Sequence, residues 1–205
     1  MLVIVDYGVG NLDSIRNMLK KTGIDSIISS DVQEIGSATK LILPGVGAFD
    51  TCASKLRGSG LLEAINKRVM KDKTPILGVC VGFQLFFQGS EEGSLPGLGW
   101  IGGQVVKFKR DKLPASLKIP HMGWTEVKLA KPSLLFENMY GDPRYYFVHS
   151  YYPEIADNND ALLFATYGYP FVAAIERDNI MGVQFHPEKS HKFGMRLLEN
   201  FVKNY

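Results

Sequence analysis

The chain has 205 residues, a hydrophobic share of 45% and a formal net charge of +2. A chain of this length can bury a full core, and so small a charge gives no reason to expect binding to nucleic acid or to an anionic membrane. It has two cysteines, no apolar run long enough to span a membrane, and no basic segment before its first aliphatic residues. We therefore expect a single domain over residues 1–205, reduced thiols and a cytoplasmic location.

In chain order, the first half of the sequence alternates between aliphatic runs and amphipathic stretches. Strands are predicted at 2–6, 25–30, 40–43 and 76–79, and helices at 12–21, around Cys52, at 61–70 and at 81–88. The second half is richer in strands, at 100–108, 125–129, 145–152 and 173–176, before a last helix at 195–202. This order predicts an α/β fold in which an open, mostly parallel, flavodoxin-like sheet is flanked by helices and extended by antiparallel strands.

Cys80 stands where the strand at 76–79 passes into the next helix, with Gly78 two residues before it and Gly82 two residues after it. The spacing is that of the Gly-x-nucleophile-x-Gly elbow, in which the turn brings strand and helix so close that both flanking positions must lack side chains. The start of a helix also favours the thiolate form of a cysteine. The pattern indicates a nucleophile, although a buried structural cysteine remains the alternative.

His186-Pro187-Glu188 supplies candidate partners for this thiol. A residue before proline is held in the extended region, and side chains two apart in an extended segment project to the same side. Glu188 could therefore bind one ring nitrogen of His186 and leave the other for a thiol, which is the logic of a catalytic triad. A hydrogen-bonded histidine beside a solvated glutamate is the alternative for this segment taken alone.

The stretch Pro44-Gly45-Val46-Gly47 ends the strand at 40–43 with a glycine-rich break. It is either an ordinary loop or an oxyanion strand, in which a backbone NH of Val46 or Gly47 faces a developing negative oxygen.

Gly8-Val9-Gly10 resembles the start of a dinucleotide-binding turn, but Asp13 stands in place of the third glycine and would repel a pyrophosphate. A tight strand-to-helix turn is the preferred interpretation. His121, His149 and His191 show no metal-ligand spacing with each other or with a cysteine, so neither a metal nor a cofactor is predicted.

The Gly78–Gln84 and His186–Glu188 motifs together resemble those of the class I glutamine amidotransferases, which have a Cys-His-Glu triad, and the resemblance extends over essentially the whole chain. Within that family, four segments resemble the glutaminase subunits of imidazole glycerol phosphate synthases. These segments are Pro44–Phe49, Pro120–Trp124, Tyr146–Tyr151 and His186–Ser190.

The resemblance implies that L-glutamine is hydrolysed to glutamate and ammonia through a thioester on Cys80, with His186 as acid and base and Glu188 as its orienting group. It further implies that the NH of Val81 and the Val46–Gly47 strand hold the oxyanion. Glutamine would be bound by Gln84, Glu92 and the backbone of Ser150 and Tyr151. Ammonia would pass to a (β/α)8-barrel cyclase subunit, in a heterodimer that forms imidazole glycerol phosphate and aminoimidazole carboxamide ribotide in histidine biosynthesis.

A glutaminase alone would waste glutamine, so a surface for the acceptor subunit is expected. Aromatic and arginine side chains are favoured in interface cores, and the candidate residues are Asn11, Trp124, Lys189, Lys192 and Arg196. The alternative is a solvated basic face beside a buried tryptophan.

Two residues depart from the pattern of these subunits: Thr125 stands where asparagine is usual, and Phe83 where methionine is common. They leave open a paralogue that serves a different synthase, for example in surface-sugar amidination. Other open interpretations are an anthranilate or aminodeoxychorismate synthase component, a flavodoxin-like nucleotide or flavin binder, and a catalytically silent regulatory or scaffold protein.

Overall fold

A computed structural model describes all residues from Met1 to Tyr205. Its strands are β1 (Leu2–Val5), β2 (Ser26–Ser29), β3 (Lys40–Gly45), β4 (Ile76–Cys80), β5 (Gly103–Lys107), β6 (His121–Leu129), β7 (Arg144–His149), β8 (Tyr151–Ile155), β9 (Ala161–Tyr167), β10 (Tyr169–Arg177) and β11 (Ile180–Val183). Its α-helices are α1 (Leu12–Lys21), α2 (Val32–Ser37), α3 (Phe49–Gly58), α4 (Leu62–Asn66), α5 (Val81–Gln84) and α6 (His191–Asn204). A π-helical turn at Lys67–Lys71 continues α4.

Nine of the strands form one mixed sheet in the order β2-β1-β3-β4-β11-β10-β9-β6-β7. The first five are parallel, and the remaining pairings are antiparallel. Strands β5 and β8 form a separate two-stranded antiparallel sheet. The predicted α/β architecture, with a parallel half extended by antiparallel strands, is confirmed.

The parallel half lies in the interior because its strands are aliphatic on both faces. All residues of β1, β4 and β11 are buried, as expected where helices cover both sides of a parallel sheet. The buried apolar side chains form a single cluster of 56 residues that continues from this half into the antiparallel half. The carboxyl end of β4 is thereby held in the middle of one continuous core, next to β3 and β11.

Several predicted boundaries are wrong for identifiable reasons. The helix expected over 81–88 ends at Gln84, because the backbone groups that follow bond to the loop at 97–103; Leu98 N, for example, donates to Leu85 O. The aromatic run 145–152 divides at Ser150 into β7 and β8, which belong to different sheets. The strand expected over 100–108 starts only at Gly103, and β6 starts at His121 rather than at Thr125. Helix α2 and strand β9 were not predicted.

None of the helices combines the length and the apolar character needed to cross a membrane.

Candidate active site

Cys80 is the last residue of β4 and lies immediately before α5, in a conformation that non-glycine residues rarely adopt. Its φ is 56° and its ψ is −115°. A side chain at Gly82 would place a Cβ 2.0 Å from Leu43 O, and one at Gly78 would place a Cβ 2.7 Å from the Cα of Phe83. The strand and the helix therefore touch as the motif predicts, and the strained turn at Cys80 is confirmed.

The side chains of His186 and Glu188 lie together after β11. His186 has the extended backbone expected before proline, but a 3₁₀ turn begins at Pro187, so the expectation of an extended segment through Glu188 is wrong and it is the turn that brings the carboxylate to the ring. Nδ1 of His186 lies 2.7 Å from Oε1 of Glu188, and the two side chains are only 3% and 1% exposed. The side-chain amide of Asn11 donates a second hydrogen bond to the same oxygen, at 2.9 Å.

These contacts determine the protonation states of Glu188 and His186. Burial raises the pKa of Glu188, but the hydrogen bonds from His186 and Asn11 outweigh it and hold that pKa below its ordinary value. Burial lowers the pKa of His186, whereas the neighbouring Cys80 and the hydrogen-bonded carboxylate of Glu188 raise it to a net value of about 10. Because Nδ1 binds Glu188, Nε2 is the nitrogen left for the sulfur, and the ring is protonated at neutral pH.

A pocket of about 430 Å³ opens over Cys80 and His186. It brings together most of the predicted site residues. Those that line it are Asn11, Val46, Gly47, Cys80, Val81, Gln84, Glu92, Ser150, Tyr151, His186 and Lys189.

Gln84, the last residue of α5, and Glu92, in the loop that follows, both line the pocket. Gln84 is buried and donates from Nε2 to the carbonyl of Tyr151 at 3.1 Å and to Oε1 of Gln184 at 3.0 Å. Glu92 accepts a 2.9 Å hydrogen bond on Oε2 from the NH of Phe49, at the start of α3. One carboxylate oxygen of Glu92 therefore fixes its position, and the other remains available in the pocket.

The predicted oxyanion strand is held from behind by two side chains. The hydroxyl of Tyr7 donates to the carbonyl of Pro44 at 2.6 Å, and the thiol of Cys52 contacts the carbonyl of Val46 at 3.4 Å. Gly47 follows with a φ of 90°, where glycine is favoured. Cys52 is fully buried behind this strand and does not line the pocket.

The Gly8-Val9-Gly10 segment forms the predicted tight turn. The NH of Gly8 donates to Oδ1 of Asp6 at 2.9 Å, so it is already engaged. A side chain at Gly10 would place a Cβ 2.9 Å from Cβ of Pro44. This close packing carries Asn11 to the carboxylate of Glu188.

The predicted partner residues lie in three places. Asn11 and Lys189 line the pocket above Cys80. Trp124 is 43% exposed, so the alternative of a buried tryptophan is wrong; it stacks on His191 at 5.4 Å and lines a second cavity with Lys192. Arg196 lies farther along α6, where it contacts Tyr140 and Glu199.

Sequence reasoning missed other residues of the site. His149 lines the pocket, as do Pro120 and Val148. Gln184 lies beneath it, with its amide nitrogen 3.9 Å from the sulfur of Cys80. Gln184 lies in the bend between the end of β11 and His186, so the fold brings it to the sulfur and no regular local spacing signals it. No group of three or more His, Cys, Asp or Glu side chains is arranged to hold a metal ion.

The model of the family "Glutamine amidotransferase class-I" matches residues 3–205. The chain is 51% identical over 203 residues to imidazole glycerol phosphate synthase subunit HisH 2 of Methanococcus maripaludis, covering 99% of each protein. It is 48% identical over 202 residues to the subunit HisH of Leptospira interrogans, covering 98% of this chain and 99% of the relative.

Solved structures share the fold at low identity. A glutamine amidotransferase crystal structure superposes with a TM-score of 0.73 at 19% identity, covering 98% of this chain and 97% of the other. The structure of PurLQS from Thermotoga maritima superposes with a TM-score of 0.73 at 16% identity, covering 98% and 96%. With the family match over nearly its full length and relatives near half identity, this chain belongs to the class I glutamine amidotransferases.

Proposed function

We propose that this chain is the glutaminase subunit of an imidazole glycerol phosphate synthase, which hydrolyses L-glutamine to glutamate and ammonia and delivers the ammonia to a cyclase subunit in histidine biosynthesis. The names of the half-identical relatives support this assignment. The structural observation that carries it is a strained cysteine that shares a pocket with an imidazole, held on its far nitrogen by a buried carboxylate.

In the proposed reaction, His186 holds the proton of the Cys80 thiol, and the thiolate attacks the side-chain amide carbon of glutamine. The tetrahedral oxyanion is held by the NH of Val81 and by the Val46–Gly47 strand. His186 then protonates the departing nitrogen, ammonia leaves, and a γ-glutamyl thioester remains on Cys80. Water, deprotonated by His186, attacks the thioester, and the thiolate leaves with glutamate as the product. Glu188 orients the ring throughout and stabilises its charged form.

The substrate's charged end would lie at the side of the pocket that carries Gln84, Glu92 and the Ser150–Tyr151 backbone. The free carboxylate oxygen of Glu92 would attract the α-ammonium group of glutamine. Backbone groups of Ser150 and Tyr151 would form hydrogen bonds with the α-ammonium and α-carboxylate groups. Gln84 already fixes the Tyr151 carbonyl, so its role includes the shape of this subsite.

The acceptor is proposed to be a (β/α)8-barrel cyclase that docks over the pocket mouth to form a heterodimer. Trp124 and Lys192 present an aromatic and basic surface beside the second cavity, and Lys189 lies exposed at the mouth of the first. Aromatic side chains with cations nearby suit an interface core facing acidic groups. A cytoplasmic location stays a prediction.

One labelling experiment tests the chemistry. A diazo-ketone analogue of glutamine should alkylate the wild-type chain once, at Cys80, and free glutamine should protect it. Labelling should be absent in Cys80→Ala and retained in Cys52→Ala. Labelling at Cys52, or none at all in the presence of the partner, would overturn the proposal and favour a catalytically silent protein.

Co-purification tests the pathway. A pull-down of the full chain from native extract should recover a barrel cyclase, and glutaminase activity should rise when that cyclase and its ligand are added. Recovery of a different ammonia-dependent synthase would leave the chemistry in place and reassign the acceptor, as the Thr125 and Phe83 departures allow.

A further inference from the structure

Four groups are joined by hydrogen bonds between β6 and the glutamine pocket. Oγ1 of Thr125 lies 2.8 Å from Nε2 of His121, and Nδ1 of His121 lies 3.0 Å from Nε2 of His149. Nδ1 of His149 lies 2.7 Å from the carbonyl of Tyr151. We call these groups the histidine network; it ends on the carbonyl that Gln84 also holds.

The donor in each of these hydrogen bonds can be assigned by starting from the carbonyl of Tyr151, which can only accept. The Tyr151 carbonyl has no proton, so Nδ1 of His149 donates to it. In a neutral ring Nε2 of His149 must then accept, and Nδ1 of His121 donates. Nε2 of His121 accepts in its turn, which leaves the hydroxyl of Thr125 as its donor. Every proton in the histidine network is thereby assigned, provided that both rings are neutral.

Both rings are buried and neutral at physiological pH. Burial lowers the pKa of His121 to about 4. Burial together with repulsion from His121 lowers the pKa of His149 to about 3. Stacking of His121 on Phe147 at 4.9 Å and on Tyr167 at 4.1 Å fixes the plane of its ring independently of Thr125.

The geometry of β6 makes the contact with Thr125 possible. His121 and Thr125 lie on the same face of the strand, and the residue between them on that face is Gly123, which has a φ of 132°. No side chain separates the imidazole from the hydroxyl. Thr125 is half-buried, while its neighbours Trp124 and Glu126 are exposed.

We propose that Thr125 is a positioning residue for glutamine binding: its hydroxyl donates to Nε2 of His121, in the tautomer that the carbonyl of Tyr151 sets, and so holds in place the two rings that support that carbonyl. Without that hydroxyl, Nε2 of His121 is a buried acceptor with no partner. A proton on that nitrogen would not restore a partner, because an apolar side chain neither donates nor accepts, so the ring loses its anchor at this end and the support of the Tyr151 carbonyl weakens. This inference rests on the proposed function, since it makes Tyr151 part of the glutamine subsite.

The kinetic test compares three variants in the complex with the cyclase. Thr125→Val is nearly isosteric and lacks the hydroxyl, and we expect the KM for glutamine to rise about five- to tenfold, the effect of one buried hydrogen bond, with a smaller change in kcat. Thr125→Ser and Thr125→Asn keep a donor and should restore the KM. Equal values in Thr125→Val and wild type, or the same loss in all three variants, would overturn the proposal.

Nitrogen-15 NMR of the full chain reads the tautomers without glutamine, so it is independent of whether the chain is a glutaminase. Wild type and Thr125→Ser should show both buried histidines protonated on Nδ1, with Nε2 of His121 as a hydrogen-bonded acceptor. Thr125→Val should keep the Nδ1 protons and move the Nε2 signal of His121 to that of an unbonded nitrogen. Nε2 protonation in the wild type would refute the inference while leaving the proposed function standing. Absence of glutaminase activity with correct tautomers would refute the proposed function instead.

Discussion

Asn11 and Glu188, 177 positions apart in the sequence, are joined by a 2.9 Å hydrogen bond from the Asn11 side-chain amide to Oε1 of Glu188. The same oxygen binds His186, and Oε2 of Glu188 is buried without a hydrogen-bond partner. Asn11 is therefore the only side chain other than His186 that donates to this carboxylate. We selected Asn11 from the sequence as a partner contact; its position gives it a role inside the site as well.

We expect Asn11→Ala to lower kcat about tenfold, because the pKa of Glu188 rises and the imidazolium of His186 loses part of its counter-charge. Asn11→Asp should lower kcat further, since it brings a second carboxylate against Glu188. The measurement is glutamine turnover at saturating cyclase. Asn17→Ala, on the exposed face of α1, which begins directly after Asn11, is the matched control. If Asn11 acts only at the interface, affinity for the cyclase will change and saturated turnover will not.

Gly82→Ala should destabilise the protein by about 3 kcal/mol or more, because its Cβ would lie 2.0 Å from a strand carbonyl that cannot move without disturbing β3. Urea unfolding followed by circular dichroism measures the change. Gly58→Ala is the control: it lies in α3, its Cβ would meet nothing within 4 Å, and it should be neutral or slightly stabilising. Similar midpoints for the two variants would contradict the close packing of strand and helix.

Glu92→Gln should raise the KM for glutamine about tenfold and leave the melting temperature unchanged. The amide oxygen of the introduced side chain can still accept a hydrogen bond from the NH of Phe49, so the start of α3 stays capped. The attraction between the carboxylate and the ammonium group of the substrate is lost. Glu63→Gln, exposed on α4, is the charge-matched control. A loss of stability with an unchanged KM would show that Glu92 serves the loop alone.

The buried pair His121 and His149 should make the free energy of unfolding decrease as the pH falls. Their folded-state pKa values of about 4 and about 3 lie below the ordinary 6.5, so their burial contributes fully above pH 6.5, and that contribution is lost as the pH falls from 6.5 through 4 and 3. The unfolding free energy should decrease steadily over this window. His121→Gln should flatten the decrease, and His191→Gln, at the exposed start of α6, should not. A profile that is flat from pH 6.5 to 4 in the wild type would contradict neutral burial.

The sequence predicted best what local chemistry determines. Cys80 was found because its two flanking glycines are required by a turn that forms within a few residues. His186 and Glu188 were found because a proline fixes the backbone between them. Their family was recognised from the same motifs, and the family match confirms it.

What escaped prediction depends on contacts between distant segments. His121 and His149 face each other because of the register between β6 and β7, which packing in the second half sets. The early end of α5 at Gln84 has the same kind of origin, since the following backbone groups bond to residues 9 to 16 positions later. No local pattern in either segment encodes its partner.

Cys80 ends β4, and His186 follows three residues after the end of β11; the two strands are hydrogen-bonded neighbours, with Val79 opposite Val183. Catalytic alignment therefore depends on the pairing of these two strands, and a surface loop between them can lengthen without disturbing it. Deleting a single residue from β11 would turn alternate side chains to the opposite face and abolish turnover, whereas a short insertion in the polar stretch 110–118 would be tolerated. Insertions and deletions among related proteins should accordingly occur mainly in that stretch.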